Sequence, residues 1–398
     1  MPESIHDYEK RLETALRKVR GSSISTKNKE VICKFKDECF SNGLSAGRAI
    51  KYTYYLIKLA EWMGMDFEKA NKEDIKRLVT EIEKCSYADI TKMELKTCVK
   101  KVYKWLRDSE EYPPEVKWIK PGSKKIPRIK LPDELLTEED VIRLINATQN
   151  VRDKAFVSML YETGCRIGEI LFIRLKHISF DDYGAQILVD GKTGRRRIRV
   201  VSSIPYLTEW INKHPQKGTP GAYVWKGPQD KVLSYGAATR ILRIIAHKAR
   251  IKKSVNPHNF RHSRATYLAN HLTEAQMKEY FGWVQASDMA AVYVHLSGRD
   301  VDNAILKVHG MNQNSNNKEE SLLKPKDCPR CNETNQTTNK FCFKCGMPLD
   351  KETILNLVEK DLQRKEADRL MDKLIKDEEF REILERKIRE IYPRASSE

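Results

Sequence analysis

"AQILVDGKTGRRRIRVV", residues 185–201, decides the fold. Apolar and polar residues alternate on either side of "GKTG". That is the period of an extended chain, and the Gly-flanked turn joins two such runs into a β-hairpin. The flanking sequence has a different period. Upstream, "LTEEDVIRLINAT" offers Thr137 as an N-cap with acids in the first turn, and "RDKAFVSMLYETGCRIGEILFIRLKHISF" reads as two helices broken at Gly164. Downstream, from Tyr206 to about Ala291, the apolar spacing is helical again. One hairpin inside a helical run predicts a mostly helical domain with a small sheet, over residues 134–309.

Residues 1–115 form a separate helical unit. Helical spacing recurs in "YTYYLIKLAEWMG" and "LKTCVKKVYKWLRD", and "GSSIST", "SNGLS" and "GMD" interrupt it, which predicts a bundle of four or five helices. Residues 116–133 read as a basic extended linker: the stretch 113–132 holds five prolines and six Lys or Arg, so helix is not expected there. A polar linker is expected over 310–325. Beyond it come two CxxC pairs within 326–350, and then a segment, 351–398, whose apolar residues (Ile354, Val358, Leu362, Leu370, Leu374, Phe380, Leu384, Ile388) fall on one stripe of an amphipathic helix.

The chain of 398 residues is 40% hydrophobic, enough for real cores, and carries a net charge of +17. Such an excess argues for a polyanionic partner, nucleic acid first. No apolar run reaches membrane-spanning length and the N-terminal stretch has no apolar core of a secretory signal, so a cytoplasmic protein without a membrane role is expected.

The candidate chemistry lies around the hairpin. A phosphodiester can be cleaved without a metal if permanently protonated, forked donors hold its non-bridging oxygens, and arginine is that donor. A nucleophile and a proton donor for the leaving oxygen complete the set. Arg166 follows the break in "TGCRIGE", with Glu169 one turn on to orient it. Lys192 stands at the hairpin tip. His258 and Arg261 share one face of a helix start in "HNFRHSRATYLA" (258–269), and "YFGWVQASDMAAVYVH" brings Trp283 and Tyr293.

"TGCRIGE", "GKTG", "HNFRH", "FGW" and "VY", in this order, resemble the catalytic domain of the tyrosine recombinases, the phage-integrase and Xer-type family. The resemblance covers about residues 1–300. It implies an all-α, SAM-like core-binding domain and a mixed α+β catalytic domain that together clamp double-stranded DNA. Tyr293 would attack the scissile phosphate to form a 3′-phosphotyrosyl link, and Arg166 and Arg261 would hold its oxygens. Lys192 would protonate the leaving 5′-hydroxyl, and His258 would assist proton transfer. Trp283 stands where most members have His. It has one N–H and no basic nitrogen, so it positions or packs. His262 is expected to pack or cap, Arg264 to touch backbone or solvent, and Tyr280, the rival nucleophile, to sit in the core. The family's chemistry needs no ATP, cofactor or catalytic metal, and works as a dimer per site and a tetramer in synapsis, sometimes with an accessory protein. A topoisomerase-like nicking-closing enzyme and a catalytically inactive DNA-binding protein remain the alternatives.

Cys328, Cys331, Cys342 and Cys345 match a short zinc ribbon, each CxxC making one knuckle of a structural Zn²⁺ site. Some archaeal integrase-like proteins carry a similar tail.

Overall fold

The computed structural model describes residues 5–122, 132–191, 193–296 and 321–391. The centre of the basic linker (123–131), most of the second linker (310–320), Lys192 and residues 392–398 lie outside them. The chain divides into two compact units, Met1–Leu131 with Ser234–Gly236, and Pro132–Leu233 with Ala237–Glu398.

In the first unit α1 (Tyr8–Gly21), α2 (Thr26–Ser41), α3 (Ala46–Met63), α4 (Lys72–Lys84) and α5 (Asp89–Leu106) pack around Ile32, Leu56, Leu59, Ile75, Val99 and Tyr103. Capping residues set the boundaries. Ser25 accepts from the Asn28 N–H, and Asn71 with Asp74 forms a capping box. A sixth, four-residue helix, α6 (Pro114–Lys117), occupies the start of the stretch read as non-helical. Pro114 sits at its first turn, where proline is tolerated, and Val116 and Ile119 bury into the bundle, which secures the turn.

The second unit begins with α7 (Glu138–Asn146), where the Thr137 capping box forms as its sequence suggests. Helix α8 (Val151–Thr163) is buried from Ala155 onward and packs against α7, α10 and α12. It ends at Gly164, whose φ of +54° only glycine adopts without strain. The short α9 (Ile167–Leu171) leads into a three-stranded antiparallel sheet in the order β1 (Ile178–Asp181), β2 (Gly184–Gly191), β3 (Gly194–Val200). The expected hairpin is β2–β3, with Gly191 opposite Gly194. Strand β1 replaces what reads as the end of a helix. It is largely exposed, and its pairing with Ala185–Ile187 holds it extended.

Helix α10 (Ile204–Asn212) starts on a buried carboxylate: Glu162 accepts the N–H groups of Val201, Ser202 and Ser203 at 2.6, 2.8 and 2.7 Å, an anion at a helix N-terminus. Residues 213–234, expected to be helical, are instead irregular apart from a 3-10 turn, and isolated bridges such as Arg174–Tyr223 tie them down. Then follow α11 (Tyr235–Lys248), α12 (Pro257–Ala269), α13 (Glu274–Phe281) and α14 (Met289–Leu296).

A two-stranded ribbon, β4 (Lys326–Asp327) and β5 (Thr334–Asn335), docks on this unit. Gln336 donates to Glu209 at 2.7 Å, Tyr206 and Thr338 share a hydrogen bond at 3.1 Å, and Glu138 accepts from Ser321 and Leu322. The single C-terminal helix expected from the sequence is two: α15 (Lys351–Leu374) and α16 (Glu378–Ile391). Apolar residues are exposed all along α15, and Thr353 is its one buried residue. Among the described residues no helix is long and apolar enough to cross a membrane.

Candidate active site

Helix α12 begins where Asn256 caps it and Pro257 fixes its first turn, so His258, Arg261 and His262 emerge from the first two turns. Arg261 is buried. Its Nη1 donates to the Gly164 carbonyl at 3.0 Å and its Nη2 to the Phe281 carbonyl at 2.7 Å. Burial, and then the like charge of Arg166, lowers its pKa to about 10. It therefore stays a cation at neutral pH, in a place that penalises a cation lacking an anionic partner.

Arg166 comes from the start of α9. Its Nη1 meets Glu169 Oε1 at 2.9 Å and its Nη2 the Gly282 carbonyl at 3.1 Å. The two arginines therefore hang on adjacent carbonyls, of Phe281 and Gly282, at the C-terminal end of α13. Their other anchors cross over. Gly164, two residues before Arg166, holds Arg261, and Gly282, reached from α13, holds Arg166. Both glycines have positive φ, +54° and +58°, and each turns its carbonyl toward a guanidinium.

Tyr293 lies on α14, which packs across α12 and α13. Its hydroxyl hydrogen-bonds to His262 Nδ1. Its ring stacks on Trp283, centroids 5.6 Å apart and planes 2° from parallel, and Trp283 in turn stacks on Phe281 at 5.0 Å. Burial raises the Tyr293 pKa to about 12, with Arg261 pulling the other way. The phenol is therefore protonated at neutral pH.

The hydrogen-bond partner of Tyr293 departs from the sequence reading. His262, expected to pack or cap, is the histidine that touches Tyr293. His258 is exposed and stands edge-on to His262 at 4.4 Å. Arg264, half-buried, donates Nε to the Glu162 carbonyl at 2.8 Å, and Tyr280 donates its hydroxyl to the same carbonyl at 3.0 Å and is raised in pKa by burial.

Arg166, Glu169, Arg261, Trp283, Tyr293 and both histidines thus meet on one face. Lys192 lies outside the described residues. Its neighbour Thr193 donates Oγ1 to the Gly282 carbonyl at 3.1 Å, and a Cβ on its other neighbour, Gly191, would fall 2.3 Å from Glu169 Oε1. Sequence reasoning missed Arg196. It sits on β3 and meets Glu169 through both oxygens, Nη2 to Oε2 at 2.7 Å and Nη1 to Oε1 at 3.1 Å. The signal was parity. Arg196 shares a strand face with Ile198 and Val200, which are buried, and a buried arginine requires a carboxylate.

The four ribbon cysteines place their sulfurs within 4.8 Å of one another, with Cys328–Cys345 at 3.5 Å and Cys331–Cys342 at 3.6 Å. A disulfide needs about 2.0 Å. Four thiolates about 2.3 Å from one tetrahedral ion would stand about 3.8 Å apart, so the cluster fits a bound metal. Backbone N–H groups of Cys345 and Lys344, with the side chains of Asn335 and Cys331, outweigh desolvation and lower the Cys342 thiol, while hydrogen bonds with its neighbouring sulfurs raise Cys331.

Residues 134–299 match the model of the phage integrase family. The chain is similar to tyrosine recombinase XerC of Anoxybacillus flavithermus, 26% identical over 243 residues, which cover 58% of this chain and 79% of that protein. It is also similar to tyrosine recombinase XerD of Staphylococcus aureus, 30% identical over 178 residues, covering 42% of this chain and 59% of the relative. The fold matches XerH site-specific recombinase bound to a palindromic difH substrate at a TM-score of 0.54, with 15% identity over 78% of this chain and all of that one. The match to the phage integrase family, over residues 134–299, spans every residue that meets at Tyr293.

Proposed function

We propose that this protein cuts and rejoins double-stranded DNA at specific sites through a covalent 3′-phosphotyrosyl intermediate. The observation that carries this reading is the convergence of Arg166 and Arg261 beside a Tyr293 hydroxyl already bonded to His262. Arg166 and Arg261 take the two non-bridging oxygens of the scissile phosphate. The Tyr293 oxygen attacks phosphorus and gives its proton to His262 Nδ1. The bond from phosphorus to the 5′-oxygen breaks, and Lys192 delivers the proton that the leaving oxygen takes up. Trp283 holds the tyrosine ring by stacking. His258, edge-on to His262, supports the proton transfer. The ester keeps the bond energy for religation, so no ATP or catalytic metal enters. The +17 charge supports a DNA partner, with the helical first unit gripping the duplex.

One Tyr293 cuts one strand. Exchange between two duplexes breaks four strands, so four protomers act together, a dimer on each site. In the ribbon, the four-thiolate donor set supports zinc, held structurally by Cys328, Cys331, Cys342 and Cys345.

Covalent trapping tests the reading. Nicked duplexes incubated with the protein and denatured in SDS should yield protein-linked DNA that disappears in Tyr293→Phe. Persistence of the adduct in that variant would overturn the assignment of the nucleophile. Strand exchange between two differently labelled duplexes separates recombination from nicking and closing.

A further inference from the structure

Arg196 fills no role in the mechanism above, yet its side chain makes four hydrogen bonds near the site. Its side chain is 10% exposed and meets that of Glu169, which is 2% exposed. Besides the two bonds to Glu169, its Nε donates to the Tyr280 carbonyl at 2.9 Å, and its Nη2 lies 3.6 Å from Cys165 Sγ. It thereby joins three segments: the hairpin that carries it, the start of α9, and the end of α13.

Glu169 is the centre of that junction. Oε1 accepts from Arg166 Nη1 as well as Arg196, and Oε2 accepts from the Arg166 backbone N–H at 2.9 Å as well as Arg196. With Arg196 in place, both oxygens are fixed from the hairpin side, and Arg166 has one orientation open to it. Without Arg196 the carboxylate can rotate about its terminal bond, and Arg166 can follow. The charges point the same way. Glu169 brings one negative charge among the guanidiniums of Arg166, Arg196 and Arg261. Two positive charges remain uncompensated, which matches the doubly charged pentacovalent phosphorus better than the singly charged diester.

We propose that Arg196 is a positioning residue for DNA cleavage, fixing Glu169 so that Arg166 is presented to the scissile phosphate and supplying the second uncompensated charge of the pocket. This rests on the recombinase reading. Arg196 itself is not placed against substrate. Burial alone would lower its pKa, but the Glu169 hydrogen bonds outweigh that and raise it, so the charge is permanent.

The test is single-turnover formation of the covalent adduct on a pool of nicked duplexes of randomised sequence. Rate constant and final amplitude are read separately, alongside binding of the same pool. Arg196→Met should lower the rate constant by about 10- to 100-fold, the scale on which orienting partners behind a contacting group act, with amplitude and binding retained. Arg196→Lys keeps the charge but not the fork, and should recover part of the rate. Because both residues act through one junction, R196M combined with E169Q should be no slower than the slower single variant. A wild-type rate in R196M, a loss of amplitude without loss of rate, or additive losses in the double variant would each overturn the proposal and leave the recombinase reading standing. If R196M does not fold, R196K decides alone: a wild-type rate there overturns the proposal. No adduct from the wild-type protein would overturn both.

Discussion

His262 Nδ1 holds the hydroxyl of Tyr293, thirty-one residues further along the chain. In the proposed mechanism this contact carries the first proton transfer. A phenol held at a pKa of about 12 is almost wholly protonated near neutrality, and the imidazole is the base in contact with it. His262→Ala should therefore slow cleavage by about 10²-fold or more, the usual worth of a positioned base. In that variant the rate should follow the phenolate fraction, rising about tenfold per pH unit toward 12, whereas the wild-type protein escapes that dependence. A pH–rate profile of adduct formation checks this, and a flat profile in His262→Ala would remove His262 from the proton path.

Glu169 gives a stability prediction with a definite sign. Burial works to raise its pKa, but the hydrogen bonds and charge of Arg196, followed by those of Arg166, outweigh it and hold the carboxyl below the ordinary range. A depressed folded-state pKa contributes stability above the unfolded value of about 4.3, and that contribution fades as pH falls through the lower folded value. Glu169→Gln should cost about 3 kcal/mol at pH 7, as when one partner of a buried pair is removed. The gap from wild type should narrow below about pH 4. Urea denaturation at the two pH values measures it.

How much of this was legible depends on whether a feature is local. The β2–β3 hairpin was, because Ile187 and Val189 alternate with Gln186 and Leu188 across the strand and the "GKTG" turn is in the sequence itself. The set of Arg166, Arg261 and Tyr293 was legible as an ordered series of motifs. Strand β1 was not. Three of its four residues are exposed, so no apolar alternation marks it, and only the partner strand makes it extended. The choice between His258 and His262 was not legible either. They lie four apart on one helical face, and what selects His262 is where α14 crosses α12, a tertiary fact. The break between α15 and α16 was hidden for the opposite reason: apolar residues continue through it at nearly helical spacing, at Leu374, Ile375 and Phe380.

With a metal bound by the four cysteines as proposed, the ribbon should respond to its removal as a unit. Chelation, or Cys342→Ser, would then release the two knuckles from each other, and a ribbon this small has little core of its own. The contacts of Gln336 with Glu209 and of Thr338 with Tyr206 should loosen with it. The expected results are one zinc per chain by atomic emission, and new protease cleavage within 321–350 after chelation while the rest of the second unit stays resistant. Unchanged proteolysis after verified metal removal would show that the ribbon is held by its docking alone.

Truncation after Asp350 should leave the fold intact. Along α15 and α16 one residue, Thr353, is buried, and the ion pairs are exposed i,i+3 and i,i+4 pairs. Such pairs contribute a few tenths of a kcal/mol each to their own helix and nothing to the rest. The stability of the second unit should change by no more than about 0.5 kcal/mol on chemical denaturation. A larger loss would mean that these helices pack on the unit in solution.

The two left-handed glycines separate stability from catalysis. Alanine at either meets a positive φ, which costs about 1–2 kcal/mol. At Gly164 the new Cβ would also fall 2.6 Å from the Phe281 ring, and at Gly282 it would fall 2.7 Å from Arg196 Nη1 and 3.0 Å from Thr193 Oγ1. The Phe281 ring is buried core, so Gly164→Ala should express its cost mainly as lost stability. Arg196 and Thr193 belong to the hairpin, and the Gly282 carbonyl is the anchor of Arg166. Gly282→Ala should push the hairpin tip and Arg166 away from the site together. It should lower the single-turnover cleavage rate by more than its stability loss accounts for, with full DNA binding retained. Denaturation curves and adduct kinetics on both variants decide the matter: equal rate losses at equal stability losses would mean that Gly282 serves the fold and not the placement of Arg166.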